Sequence, residues 1–275
     1  MSLKKERAAR DARLMDELLA TLPKRLYRYL NNDTHQFDSV SDALKGNALH
    51  FCSYASLNDP FDGACTWNFN SPAADIEAYW RELVDLGEVP VSGNVEAQID
   101  AMVRLSNTSD GQRQLQQESQ KSFRDQALCC LSLEPCNPLL WAHYGGGLKG
   151  ACLEFDAVAL FHSLGTGHAQ MVPVQYKANL GECRFYEAGD IERGLATLAT
   201  KGEEWRYEAE WRLIRKDAPG LQCFQPTALT GVLLGERMSP EEQVRVRALA
   251  EARANPILCS MVKPCYDSFS LTLVR

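Results

Sequence analysis

"WRYEAEWRLIRK", residues 205–216, is the stretch on which the fold class turns. Read as a strand, it sends Glu208, Glu210, Arg212 and Ile214 to one face and Ala209, Trp211 and Leu213 to the other. The second face is apolar; the charged face looks outward or into a cleft. One-sided strands of this kind belong to antiparallel or mixed sheets, whereas the strands of a doubly wound parallel sheet are apolar on both faces. Working outward, "RLYRYL" at 25–30 alternates in the same way, with Leu26, Arg28 and Leu30 opposite Tyr27 and Tyr29. Strands are also read at "ALHFCSY" (48–54), "ALCCLSLEP" (127–135), "GACLEFD" (150–156), "MVPVQY" (171–176), "TGVLLGE" (230–236), 257–262 and 268–274.

Between these strands the period changes to that of a helix. Leu14, Leu18 and Leu22 form a stripe that Pro23 stops, so residues 1–23 form an N-terminal amphipathic helix. Ile76, Tyr79, Trp80 and Leu83 open a helical insertion at about 72–126, and "NPLLWAHY" (137–144), 190–203 and 239–253 supply further helices. Helices and strands do not alternate strictly. The expected fold is therefore α+β: a mixed, largely antiparallel sheet with a helical insertion and flanking helices, forming a single domain over 24–275.

Composition sets the broad class. The 275 residues are 45% apolar and 24% charged, with a net charge of −7 that disfavours extended duplex nucleic acid as a partner. The charged N-terminus has no room for the apolar core of a signal peptide, and no segment reaches the roughly 18 apolar residues of a membrane span. A cytoplasmic protein is expected, its ten cysteines reduced and mostly buried. No Cys-x-x-Cys occurs, so no metal site is expected.

Several stretches carry candidate chemistry. "GGGLKG" (145–150) spells Gly-x-Gly-x-x-Gly, yet a helix precedes it and a strand follows, the reverse of a dinucleotide fingerprint. In "SYASLNDPFDGACTW" (53–67), Asn58 and Asp59 before Pro60 form an Asx turn, while Asp59 or Asp62 could equally line a cleft at the sheet end. "WAHYGGG" sets His143 and Tyr144 beside glycines as candidate ligand contacts. Glu208 and Glu210, one strand period apart, stand roughly 6–7 Å from each other. Such a pair beside Arg212 can support charge development at an anomeric carbon, or can form an ion-laced solvent face.

Taken in order, "LYRYL", "LHFCSYASLNDPFD", "CLSLEP", "NPLLWAHYGGGLKGACLEFD", "VQY", "EEWRYEAEWR" and "GVLLGERMSP" resemble the bacterial family known as domain of unknown function 2971. That family implies a bacterial or phage-related protein of defence or toxin loci and no particular activity. A second resemblance is to ADP-ribosyltransferases of the Arg-Ser-Glu class, matched by Arg28, Ser132 and Glu208-Ala209-Glu210 in chain order. The middle strand here reads Leu-Ser-Leu in place of Ser-Thr-Ser. The resemblance implies NAD as substrate, with Arg28 on its pyrophosphate and Ser132 on the nicotinamide ribose. Glu210 would be the essential carboxylate, Glu208 would assist the acceptor, and Tyr144 would stack on nicotinamide. Tyr27, His143, Asn58, Asp59, Asp62 and Arg212 complete the expected cofactor-binding set. Two other classes stay open. One is a metal-dependent nuclease using Asp59 or Asp62 with Glu210; the other is a non-catalytic sensor module binding a nucleotide or a protein partner. The N-terminal helix is the expected protein-docking element.

Overall fold

The computed structural model describes residues 3–31, 34–124, 126–165, 169–216 and 219–274. In chain order the first elements are α1 (Leu3–Ala20), β1 (Arg25–Leu30), α2 (Thr34–Lys45), β2 (Ala48–Ser53), β3 (Thr66–Asn68), α3 (Ala73–Asp85), α4 (Val95–Ser106) and α5 (Ser109–Arg124). Next come β4 (Ala127–Ser132), α6 (Pro138–His143), β5 (Ala151–Asp156), α7 (Ala157–Gly165), β6 (Ala169–Pro173), β7 (Gln175–Lys177), β8 (Glu182–Arg184), α8 (Asp190–Leu198) and β9 (Thr200–Gly202). The chain closes with β10 (Glu210–Arg215), β11 (Gly220–Cys223), β12 (Leu229–Gly235), α9 (Pro240–Glu251), β13 (Leu258–Cys265) and β14 (Ser270–Val274). The fold is α+β, with a mixed, mostly antiparallel sheet. No described helix is long and apolar enough to cross a membrane.

Where the sequence reading draws one domain over 24–275, contacts gather the chain into two units. One comprises Met1–Ala20, Asn58–Asp125 and Gln175–Gly202, the other Thr21–Leu57, Gln126–Val174 and Glu203–Arg275. The expected strand "MVPVQY" is accordingly divided. β6 ends at Pro173 and pairs with β10, whereas β7 pairs with β9 in the other unit.

The second unit holds the large sheet, in the order β11-β2-β4-β1-β5-β12-β13-β14, with β10 against β4 and β6 against β10. Its pairings are antiparallel except β12 with β13. That parallel step needs a crossover, supplied by α9, which Ser239 caps by accepting the Glu242 N–H at 3.3 Å and Pro240 opens. β4 is the pivot. One edge pairs with β10 along its whole length, from Glu210↔Ser132 to Arg215↔Ala127. The other edge is shared, with β2 at Leu128 and Ala127 and β1 at Ser132. Two strands on one edge must diverge, and in the fork between them the carbonyl of Cys130 accepts the guanidinium of Arg28 at 2.7 Å. A side chain thus satisfies a backbone group that no strand reaches.

One face of this sheet buries Leu26, Phe51, Leu153, Phe155 and Leu213, none with exposed surface. Each such burial contributes about 1.5–3 kcal/mol. The opposite face buries Tyr27, Tyr29, Leu140, Trp141 and Cys152 in a smaller, partly polar cluster.

The first unit is mainly helical, with α1, α3, α4, α5 and α8 beside the parallel pairs β3–β8 and β7–β9. Its core is aromatic: Trp67, Phe69, Tyr79, Phe185 and Tyr186 with Ile76. The amphipathic helix α1 is held here by polar groups as well as by its leucines. Arg7 is 7% exposed, donates to the Tyr186 carbonyl at 3.1 Å and pairs with Glu82. Asp11 accepts the Ile191 N–H at 3.3 Å at the positive end of α8. A Cβ on Gly189 would meet the Asp11 carboxylate at 2.2 Å, so only glycine admits this approach. The ten cysteines are free; Cys129, Cys152 and Cys183 are buried and Cys223 is exposed.

Candidate active site

The strand expected over 205–216 begins only at Glu210. Residues Glu203–Glu208 form a 3-10 turn, and Ala209 turns the chain with φ +42°. The turn is fastened from several sides. Ser132 donates its hydroxyl to the Glu208 carbonyl at 2.6 Å and accepts the Glu134 N–H at 2.9 Å. The Leu133 N–H reaches the Ala209 carbonyl at 3.1 Å. Asn137, whose Oδ1 caps α6 at the Leu139 N–H, donates its amide to the Tyr207 carbonyl at 3.0 Å. These bonds hold Ala209 in the left-handed region, which a non-glycine residue occupies only at a cost.

On this support a polar group assembles. Tyr144 donates to Glu208 Oε1 at 2.7 Å, and His143 Nδ1 lies 3.0 Å from the Tyr207 hydroxyl. Glu208 is 4% exposed and Glu210 5%. The charged face of the strand is therefore interior, and Arg212 has no exposed surface. Arg212 grips Glu210 with two parallel bonds, Nε to Oε1 at 2.9 Å and Nη2 to Oε2 at 3.1 Å. Charge-assisted bidentate pairing of this kind is what makes such burial affordable.

Register aligns the three strands of interest. Tyr27 stands opposite Ser132, and Ser132 opposite Glu210, so all three share one face across β1, β4 and β10. Arg28, one residue along, leaves from the other face. Burial lowers the pKa of its guanidinium, but the sulfur groups of Cys129, Cys130 and Cys52 and the carboxylate of Glu210 raise it by more. Tyr27 donates to Glu154 Oε2 at 3.4 Å, beside Arg25 at 3.3 Å from the same oxygen. Burial, then Glu154, pushes its phenol pKa up.

The expected residues thus divide. Tyr27, Arg28, Ser132, His143, Tyr144, Glu208, Glu210 and Arg212 all lie in the sheet-bearing unit, whereas Asn58, Asp59 and Asp62 lie in the helical one. There Asp59 forms the Asx turn, accepting the Phe61 N–H at 2.9 Å, and Asp62 lies 4.0 Å from the Lys201 ammonium. Ser132 is a positioning residue, since its hydroxyl both donates and accepts within the fold. Sequence reasoning missed Tyr207, Asn137, Glu154 and Lys201. The helix at 137–144 was legible, but the cross-bond of Asn137 to Tyr207 depends on chain 70 residues away. Among the described residues no group of three or more His, Cys, Asp and Glu gathers as metal donors.

No curated protein and no solved structure matches the chain. Residues 140–213, which include Tyr144, Glu208, Glu210 and Arg212, match the family described as "Protein of unknown function (DUF2971)", the one its quoted motifs resemble.

Proposed function

We propose that this protein is an NAD-consuming, ADP-ribosyltransferase-like enzyme, acting as a bacterial toxin or phage-defence effector. NAD binds with its pyrophosphate toward Arg28, which spends one N–H on the Cys130 carbonyl and carries four others. The bond between the ribose C1′ and the nicotinamide nitrogen breaks, and nicotinamide leaves with the electron pair. An acceptor nucleophile or water then forms the new bond at C1′. Glu210 stabilises the oxocarbenium-like transition state, Glu208 receives the acceptor's proton, and Tyr144 and His143 flank the nicotinamide. Ser132 acts indirectly, by fixing the turn that carries Glu208.

The observation that supports this reading is the cross-strand row of Tyr27, Ser132 and Glu210. It makes the arginine, serine and glutamate strands lateral neighbours although they are far apart in sequence. A non-catalytic nucleotide-binding module is the second reading, favoured by the closed Glu210–Arg212 pair. Incubating the full chain with NAD and quantifying free nicotinamide by chromatography separates the two. Release that Glu208→Gln and Glu210→Gln abolish, at temperatures where both variants are folded, supports the enzyme. Stabilisation by NAD without release supports the module, and neither effect overturns both.

A further inference from the structure

Cys65 and Cys183 lie on one face of the small parallel pair β3–β8. Register sets Trp67 opposite Cys183, and alternation returns Cys65 to the face of Trp67. The Cys65 thiol lies 3.7 Å from the carbonyls of both Thr66 and Gly181, and Gly181 is two residues before Cys183 on the same strand side. Cys183 is 5% exposed within the aromatic core, whereas Cys65 packs against that core half-buried. A Cβ on Gly181 would stand 2.9 Å from Lys177 Nζ, so an ammonium lies over the residue whose carbonyl Cys65 approaches. Lys177 and Cys183 both line an open cleft of about 620 Å³. A thiol beside a cation, a second thiol next to it and a solvent opening are what a peroxide-sensitive pair requires.

We propose that Cys65 and Cys183 form a reversible dithiol–disulfide site oxidised by hydrogen peroxide, with Cys65 reacting first and Cys183 resolving. The Cys65 thiolate attacks a peroxide oxygen; the S–O bond forms, the O–O bond breaks, and the departing hydroxide takes up a proton to leave as water. Cys183 Sγ then attacks the sulfur of the sulfenic acid. The S–S bond forms, the S–O bond breaks, and a second water departs with the Cys183 proton. The two thiols are oxidised by two electrons in total, and the peroxide is reduced to two waters. The order of attack follows exposure, because Cys65 is half-buried whereas Cys183 is 5% exposed. The Cys183 hydrogen bond pulls the Cys65 pKa down, burial opposes this, and Lys177 adds to the lowering; Cys183 is pushed up. Two residues along a strand advance roughly 6.6 Å and paired strands lie about 4.8 Å apart, so the diagonal Cα atoms stand roughly 8 Å apart, beyond the usual disulfide reach. Cys65 precedes β3 and lies outside its ladder, so its segment can close that gap without unpairing the strand.

The test treats the folded full-length protein with equimolar hydrogen peroxide, blocks residual thiols and maps peptides by mass spectrometry. The expected product is a Cys65–Cys183 cross-linked peptide that dithiothreitol reverses. In Cys183→Ser, and in Cys183→Ala should the serine variant fail to fold, a dimedone adduct accumulates on Cys65. Lys177→Met slows oxidation, because losing the ammonium raises the Cys65 pKa and leaves less thiolate. Oxidation of Cys65 without the bond to Cys183, a cross-link that forms only after unfolding, or faster attack at the exposed Cys223 overturns the assignment.

Discussion

Glu210→Gln removes one charge from a pair whose side chains are 5% and 0% exposed and which two bonds of 2.9 and 3.1 Å join. The amide keeps the shape but takes away the charge that two donors of Arg212 face. Stripping one member of a buried ion pair costs about 3–5 kcal/mol. In a chain of this size each kcal/mol moves the melting temperature by about 2–4 °C, so a fall of about 6–20 °C is expected. Replacing both members, as in Glu210→Leu with Arg212→Met, removes the stranded charge too. The double variant is expected to melt above Glu210→Gln, with a favourable coupling of about 2–3 kcal/mol in the double-mutant cycle. Calorimetry on wild type, Glu210→Gln, Glu210→Leu, Arg212→Met and the double variant at one concentration and pH checks this. A Glu210→Gln melting point within about two degrees of wild type, or a double variant that loses the sum of the single losses, refutes the claim that the pair acts as a buried unit.

Tyr144→Phe leaves Glu208 Oε1 without its 2.7 Å donor and is expected to cost about 1–3 kcal/mol by denaturant titration, together with most nicotinamide release. Ser132→Ala removes a donor to the Glu208 carbonyl and an acceptor for the Glu134 N–H; a loss of about 1–3 kcal/mol is expected, with faster amide exchange at Glu134. Ala209→Gly relieves a left-handed conformation at φ +42° and is expected to be neutral or to stabilise by up to about 1 kcal/mol in the same titration. A clear loss would show that the turn is not strained.

The structure sets β1, β4 and β10 side by side. Periodicity marked β1, β4, β5, β10 and β12 because alternation is a property of neighbouring residues. It overran at 205–209, where Ala209 breaks the strand although no local signal at an alanine announces a left-handed residue. It also missed α2 and α7 and the short strands β3, β8, β9 and β11. In short strands of this kind the apolar pattern is too brief to stand out, and pairing with distant chain decides the conformation.

The site divides along the same line. By itself the sequence determined the α+β class, the helical character of 72–126, the Asx turn at Asp59 and the helices at 137–144 and 239–253, all of which depend on spacings of a few residues. Only the tertiary structure decided that the charged face of β10 is interior, that Arg212 closes on Glu210, and that Ser132 serves the turn beneath Glu208. It also assigned Asn58, Asp59 and Asp62 to the unit that does not carry the sheet. The physical reason is that burial and partner choice depend on which strands share an edge of β4, and side-by-side placement of β1, β2 and β10 is set by long-range pairing.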